Sequence, residues 1–436
     1  MFCRFTVDIK LYLNYTLDSF PRTVSKRGAS FMIKRERYMR QIRPFIDGEL
    51  IKVLTGIRRS GKSVMLELIK EDLLLQGILS SQIISLNFED MNNAYLCTAE
   101  ALHSEIQDRI TGVTGKAYLF FDEIQEVLGW EKCVNSFRVE FDCDIYITGS
   151  NAKLLSGELA THLAGRYVEF MIYPFSFEEF SVMYSEFYQN ASTQELFVRY
   201  TLLGGMPYLG NLKYADAPAQ IYLKDLFSSI VLKDIVRRHN IRDVDLLERI
   251  LAYVFSNAGT TFSAASISKY FKSENRIVAP ETIMNYIGYC IDAFLIYRTR
   301  RQDLHGKKIL TINEKYYVAD HGIREAVFGG STNDINIVLE NIVYIELLRR
   351  GYNVTVGRAG LKEIDFVCEN KKDRIYIQVS YLLASEETIN REFGAYESIQ
   401  DNFPKFIVSL DDIDMSRNGV KHMNIRDFLL MPEWRG

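Results

Sequence analysis

Eight consecutive residues, Gly56-Ile57-Arg58-Arg59-Ser60-Gly61-Lys62-Ser63, fit the spacing G-x-x-x-x-G-K-[ST] without a mismatch. Such a loop cradles phosphate when it joins a strand to a helix. Both flanks are present: an apolar run at 51–55 predicts the strand, and Val64 to Ile69 predicts the helix. Glycines let backbone N–H groups converge on an anion, and the helix N-terminus adds its positive dipole end. Residues 56–64 are therefore expected to bind a nucleoside triphosphate. Lys62 would reach the β- and γ-phosphates, and the Ser63 hydroxyl would ligate Mg²⁺. Arg58 and Arg59 are unusual inside such a loop, and two readings stay open for them: phosphate contact or exposure to solvent.

A second run, Ala117-Tyr118-Leu119-Phe120-Phe121-Asp122-Glu123, is apolar and ends in two carboxylates. Continuous apolar residues suit a parallel strand covered on both faces. Ligands bind beyond the carboxyl ends of such strands. Asp122 is the expected metal ligand, and Glu123 the base that polarises the attacking water. A third strand is predicted at 144–148, running into Gly149-Ser150-Asn151. Ser150 or Asn151 could feel the γ-phosphate and orient the water. Arg166 offers a guanidinium for transition-state charge, in cis or from a neighbouring subunit, or else is an ordinary surface arginine.

These segments carry a family resemblance. Thr55 to Ser63, Phe121-Asp122-Glu123-Ile124-Gln125, Thr148-Gly149-Ser150 and Leu163-Ala164-Gly165-Arg166 resemble the predicted AAA-like ATPases of bacteria and archaea. The similarity continues through Tyr173-Pro174-Phe175-Ser176-Phe177-Glu178-Glu179-Phe180 and Gly204-Gly205-Met206-Pro207, and covers nearly everything from Met32 onward. The resemblance implies ATP as the nucleotide, a prokaryotic cytoplasmic setting and a C-terminal domain of unknown function. It implies no particular substrate.

A chain of 436 residues is too long for one ordinary core. The expected fold class is α/β: a P-loop NTPase parallel sheet flanked by helices, then a winged-helix-like segment and an α/β restriction-endonuclease-like domain. The expected boundaries are an N-terminal extension at 1–31, the ATPase domain at 32–175, a helical lid or connector at 176–240, the winged-helix-like part at 241–330 and the last domain at 331–436. The extension mixes charge and aromatics without a period; the expectation is either a misassigned start codon or a loose arm, in both cases carrying no chemistry. The 52 basic and 56 acidic residues nearly balance, so no global field draws the chain to nucleic acid. Six scattered cysteines without a C-x-x-C pair suggest neither a zinc site nor a disulfide framework. No apolar stretch approaches membrane-spanning length.

Between Val244 and Arg301 the pattern reads as three helices, the last with Pro280 in its first turn, followed by a strand and a basic wing. A helix-turn-helix presents its recognition helix to DNA in this order. Yet the stretch from Thr282 to Tyr289 carries no Lys or Arg, and phosphate contacts dominate DNA affinity. Lys269, Lys272, Arg276, Arg298, Arg300 and Arg301 could still form a nonspecific basic edge. Further on, Asp365 on one predicted strand and Gln378-x-Ser380 on the next are similar to restriction-endonuclease-like folds, with Glu340 as the helix acid. In those folds two acids bind Mg²⁺ and a lysine supports the attacking water. Ser380 stands where that lysine belongs, so a degenerate site without nuclease activity is expected. Two function classes follow. One is an ATPase that drives conformational change in the C-terminal domains and acts on DNA. The other is a slow nucleotide-dependent switch or scaffold for a protein partner. Oligomeric state is not legible.

Overall fold

The computed structural model describes residues 24–27, 30–152, 163, 165–304, 306, 308–329, 334–360, 362–371 and 373–434. Most of the predicted N-terminal extension lies outside the described residues. Its end is no loose arm: β1 (Val24–Arg27) pairs antiparallel with β2 (Ser30–Ile33).

After α1 (Glu36–Ile42), five strands build the first sheet: β3 (Ile51–Thr55), β4 (Ile83–Asn87), β5 (Ala117–Asp122), β6 (Cys143–Thr148) and β7 (Tyr167–Met171). They lie in the order β4-β5-β6-β3-β7, and every pairing is parallel. The crossovers supply α2 (Lys62–Leu75), α3 (Ala99–Ile110) and α4 (Trp130–Glu140). Alternate residues of each strand feed opposite cores, as a pleat requires. Val53, Leu119, Phe121 and Ile147 pack with Leu102, Ile106, Val134 and Phe137 on one face. Leu54, Tyr118, Phe120 and Tyr146 pack with Tyr38, Met65 and Ile69 on the other.

One strand residue breaks the apolar pattern. Lys52 is wholly buried and pairs with the equally buried Asp144 of β6. The carboxylate also accepts the Asp47 backbone N–H and the Tyr146 hydroxyl, and Lys52 donates to Gly48 O. Both charges are thus partnered, the condition under which a buried pair is tolerated.

The rest of the chain is less divided than its sequence suggests. Helices α5 (Phe177–Ser185), α6 (Thr193–Leu203) and α7 (Asp216–Ser229) lead into a π-helical stretch, Ile230–Arg237. Three more helices follow, α8 (Val244–Ser256), α9 (Ala264–Ser273) and α10 (Pro280–Asp292), the last with its proline in the first turn as expected. The hairpin of β8 (Ile296–Asp303) and β9 (Lys308–Val318) comes next, then α11 (His321–Phe328) and α12 (Ile335–Arg349). The C-terminal strands are β10 (Asn353–Ala359), β11 (Lys362–Asn370), β12 (Asp373–Val379), β13 (Lys405–Ser409) and β14 (Val420–Asn424). The hairpin is no separate wing. Through the parallel pairing of β8 with β10 it completes a seven-stranded mixed sheet, β14-β13-β12-β11-β10-β8-β9. The expected boundary at residue 330 therefore falls inside one sheet. One hydrophobic core draws on residues from Ile33 to Trp434, and a smaller one, around Ile364, Tyr376 and Ile407, is separate from it.

Arg35 joins the two halves. It is almost fully buried and donates to Ser60 O (3.0 Å), Tyr173 O (2.8 Å) and both oxygens of Glu179. Glu179 is also the N3 residue of a capping box with Ser176, so one carboxylate starts α5 and holds Arg35. Nearby, Gly204 adopts φ +73°, where a Cβ would lie 2.3 Å from Asp320 Oδ1 and 2.6 Å from the Gly322 backbone nitrogen. Asp320 in turn accepts the Gly205 N–H at 2.7 Å and caps α11. Gly204→Ala therefore meets both a left-handed backbone and a clash. We expect it to lower stability by at least about 2 kcal/mol, read as a fall in denaturation midpoint.

Candidate nucleotide-binding active site

The phosphate loop lies at the carboxyl end of β3 and opens α2. Gly56 (φ +139°) passes so close to the edge of β7 that a Cβ would sit 2.3 Å from Ile172 O. Gly61 (φ +100°) turns the chain into the helix. The Lys62 ammonium is held over the loop by Gly56 O (3.1 Å) and Ile57 O (3.2 Å). Burial lowers its pKa, and the acids Glu123 and Asp122 offset part of that shift. The Ser60 hydroxyl is buried without a hydrogen-bond partner, whereas Ser63 and Val64 are exposed.

The carboxylates converge from β5. Asp122 receives the hydroxyls of Thr148 (2.5 Å) and Ser63, and the Asn87 amide at 3.2 Å. Burial raises its pKa, and those hydroxyl hydrogen bonds restrain the rise. Glu123 takes a left-handed backbone, φ 54° and ψ 50°, that a residue with a side chain seldom adopts. Its N–H is tied to Thr148 Oγ1 at 2.9 Å. Its side chain accepts Ser150 Oγ at 3.2 Å and Gln125, and lies 4.0 Å from Lys62 Nζ. Glu123, Lys62, Ser150 and the Ser63–Asp122 pair thus lie together where the loop opens into the helix, and Asn151, next in the chain to Ser150, is buried. These residues fit Mg²⁺: a hydroxyl and a carboxylate oxygen already meet where the loop ends.

Beside the loop is a cavity of about 390 Å³, lined on its polar side by Arg58, Arg59, Gly61, Lys62, Ser63 and Glu123. Its other wall is apolar, built from Met32, Ile33, Phe175, Met183, Pro207 and Tyr208. Sequence reasoning missed this wall, because its residues come from four separated segments.

For two arginines the geometry bears on readings that the sequence leaves open. Arg166 precedes β7, whose Tyr167 pairs with Ile51 at the start of β3. It therefore lies at the opposite end of the sheet from the loop, about 15 Å away along five strand residues. Its exposed side chain donates to Asn135 at 2.8 Å, so it does not reach this site within one chain. Arg58 lines the cavity and does not simply face solvent. It donates to Glu89 at 3.0 Å and to the buried Asp234 of the π-helical stretch at 3.2 Å. Nothing in the sequence pattern marked Asp234.

In the C-terminal sheet, Asp365 and Gln378 are neighbours on β11 and β12: the Asp365 N–H donates to Gln378 Oε1 at 3.2 Å. Glu340 of α12 faces them, close enough that its charge helps burial push Asp365 well above the usual carboxylate range. Ser380 supplies no charge, but a lysine is present from elsewhere. Lys315 of β9 lies 3.3 Å from Glu340 and 2.9 Å from Glu363, and Tyr317 donates to Glu340 at 2.6 Å. Lys315 was missed because β9 precedes Asp365 by fifty residues and joins it only through the shared sheet. Replacing it leaves the half-buried Glu340 and Glu363 uncompensated beside the buried Asp365. Lys315→Met is expected to cost about 3 kcal/mol in urea unfolding, with part of the loss recovered by adding Glu340→Gln.

A family described as AAA domain matches residues 48–181, and a domain of unknown function matches residues 194–334. An uncharacterized protein of Haemophilus influenzae is 38% identical over 401 residues, spanning 92% of this chain and 99% of that one. One of Methanocaldococcus jannaschii is 31% identical over 406 residues, spanning 88% and 87%. Among solved structures, a Walker-type ATPase of Pyrococcus abyssi is 16% identical with a TM-score of 0.47, covering 70% of this chain and 98% of that one. With the loop, the acidic pair and the parallel sheet in place, the chain belongs to the predicted AAA-like P-loop family, together with the Haemophilus influenzae protein that it matches over nearly its whole length.

Proposed function

We propose that the protein is a Mg²⁺-dependent ATPase whose turnover drives conformational change in its C-terminal part. The observation that carries this reading is Glu123, held in a strained backbone at the mouth of β5 by Thr148 and Ser150. A carboxylate fixed there is placed to accept the proton of a water attacking the γ-phosphate. Ser150 orients Glu123, Lys62 meets the β- and γ-phosphates, and backbone N–H groups of residues 56–64 cradle the rest. Ser63 and Asp122 would hold Mg²⁺, which neutralises phosphate charge when bound. The apolar wall around Tyr208 and Met183 suits a nucleobase.

Lys62→Ala is expected to abolish nucleotide binding in equilibrium titration. Glu123→Gln is expected to retain ATP while turnover falls at least about a hundredfold. Measurable turnover by Glu123→Gln at the parental rate would remove Glu123 from the base role. Arg166 enters this scheme only from a neighbouring copy. Arg166→Ala is expected to leave turnover within about twofold, and a loss of about a thousandfold would instead support a shared site.

A second reading, a nucleotide switch for a protein partner, is favoured by the state of the basic edge. Arg276 is engaged by Asp243 at 2.7 Å, Arg298 faces Glu314 at 3.8 Å, and Arg301 is paired with Glu363. Half of the six expected phosphate contacts are thus already committed to acids, and Ile277 beside them is exposed. Steady-state ATP turnover with and without duplex and single-stranded DNA separates the readings. A DNA-dependent rise lost in Lys62→Ala supports action on DNA; indifference to DNA supports the partner.

A further inference from the structure

Arg58 occupies a variable position of the phosphate loop, yet its guanidinium is shared with a different part of the molecule. Nε donates to Asp234 Oδ2 at 3.2 Å and Nη1 to Glu89 Oε1 at 3.0 Å. Glu89 lies just past β4 and is half exposed, whereas Asp234 is only 4% exposed. Arg58, Lys62, Glu123 and Asp234 form one electrostatic cluster, each within range of the others. Arg58 also lines the cavity beside the loop, so a phosphate on that loop and Asp234 are alternative partners for one cation.

Asp234 lies on an unusual element. Ile230–Arg237 continues α7 as a π-helix, a geometry that is rare beyond a single turn and recurs at functional sites. Its ordinary alternative is an α-helix, in which Asp234 and the residues after it would be rotated relative to the loop. The stretch leads directly to His239, whose ring stacks on Tyr289 of α10 at 3.9 Å. That contact ties the end of the π-helical stretch to the three-helix unit.

We propose that Asp234 is a positioning residue that holds Arg58, and that a bound triphosphate takes Arg58 over, loosening the π-helical stretch and reporting occupancy to the three-helix unit. The proposal rests on the ATPase reading. A γ-phosphate brings negative charge beside Glu123 and Asp234, so it both attracts Arg58 and repels the carboxylate that held it. ADP lacks that group and is expected to leave the pair intact. The two nucleotides would then differ in what the C-terminal part senses.

The test is backbone hydrogen exchange over residues 226–241 of the full chain with Mg²⁺ and either a non-hydrolysable ATP analogue or ADP. The analogue is expected to raise exchange in this stretch, and ADP to leave it unchanged. In Asp234→Asn, exchange should be high without nucleotide and rise no further. That variant should bind the analogue about fivefold more tightly, with ADP affinity unchanged. Arg58→Gln, which leaves the π-helical residues themselves intact, should also start high, and it serves if Asp234→Asn fails to fold. Analogue binding with no change in exchange, or equal gains for analogue and ADP in Asp234→Asn, would overturn the proposal while leaving the ATPase reading standing. Failure of the parent protein to bind the analogue at all would overturn both.

Discussion

The buried guanidinium of Arg35 is the constraint on which the arrangement of the two halves depends. It touches the phosphate loop through Ser60 O, the strand-to-helix segment through Tyr173 O, and the first connector helix through Glu179. Tyr38 and Phe175 stack against it at 4.6 and 5.3 Å. A charge this deep is stable only with every donor engaged, so the loop, the segment and the helix must hold one mutual position. Arg349 of α12 reaches Pro174 O, the adjacent carbonyl, at 3.1 Å. One short segment, residues 173–175, is thus gripped from both halves by buried arginines.

The same segment explains why the site is asymmetric. On the sheet side, short polar contacts tie Asp122 to Thr148 and Glu123 to Ser150. On the connector side, Phe175, Met183 and Pro207 offer only apolar surface. The polar wall therefore belongs to the first half of the chain, and the apolar wall, begun by Met32, Ile33 and Phe175, is completed by Met183, Pro207 and Tyr208 borrowed from the second. Gly204 and Gly205 make the borrowing geometrically feasible, since their backbone passes within contact of Phe175 and of Gly322, where no side chain fits.

How much of this was readable depends on sequence distance. The phosphate loop and the Asp122-Glu123 pair were legible because each is contiguous and its flanks alternate in apolar character. The helices from Val244 to Asp292 were legible through their period and through Pro280. Contacts between distant segments were not. Lys315 meets Glu340 and Glu363 only because β8 pairs with β10, a parallel pairing over some fifty residues that leaves no local pattern. Asp234 is one acid in an ordinary-looking helical run, and its meaning comes from a fold that sets it against Arg58. Arg166 shows the same limit from the other side: it follows a recognisable stretch, but parallel pairing with β3 carries it to the far end of the sheet, where within one chain it is a surface arginine. Lys52 is buried mid-strand, and its partner Asp144 lies on a strand that is adjacent only in space.

The pairing of β8 with β10 also decides where the polypeptide can be cut. Register Val356↔Arg301 through Arg358↔Asp303 stitches the hairpin onto the C-terminal strands. A break near residue 330 would strip two strands from the sheet and leave β10 with an unpaired row of backbone N–H and C=O groups. Open edges of that kind recruit other chains. The C-terminal hundred residues released alone would therefore tend to self-associate.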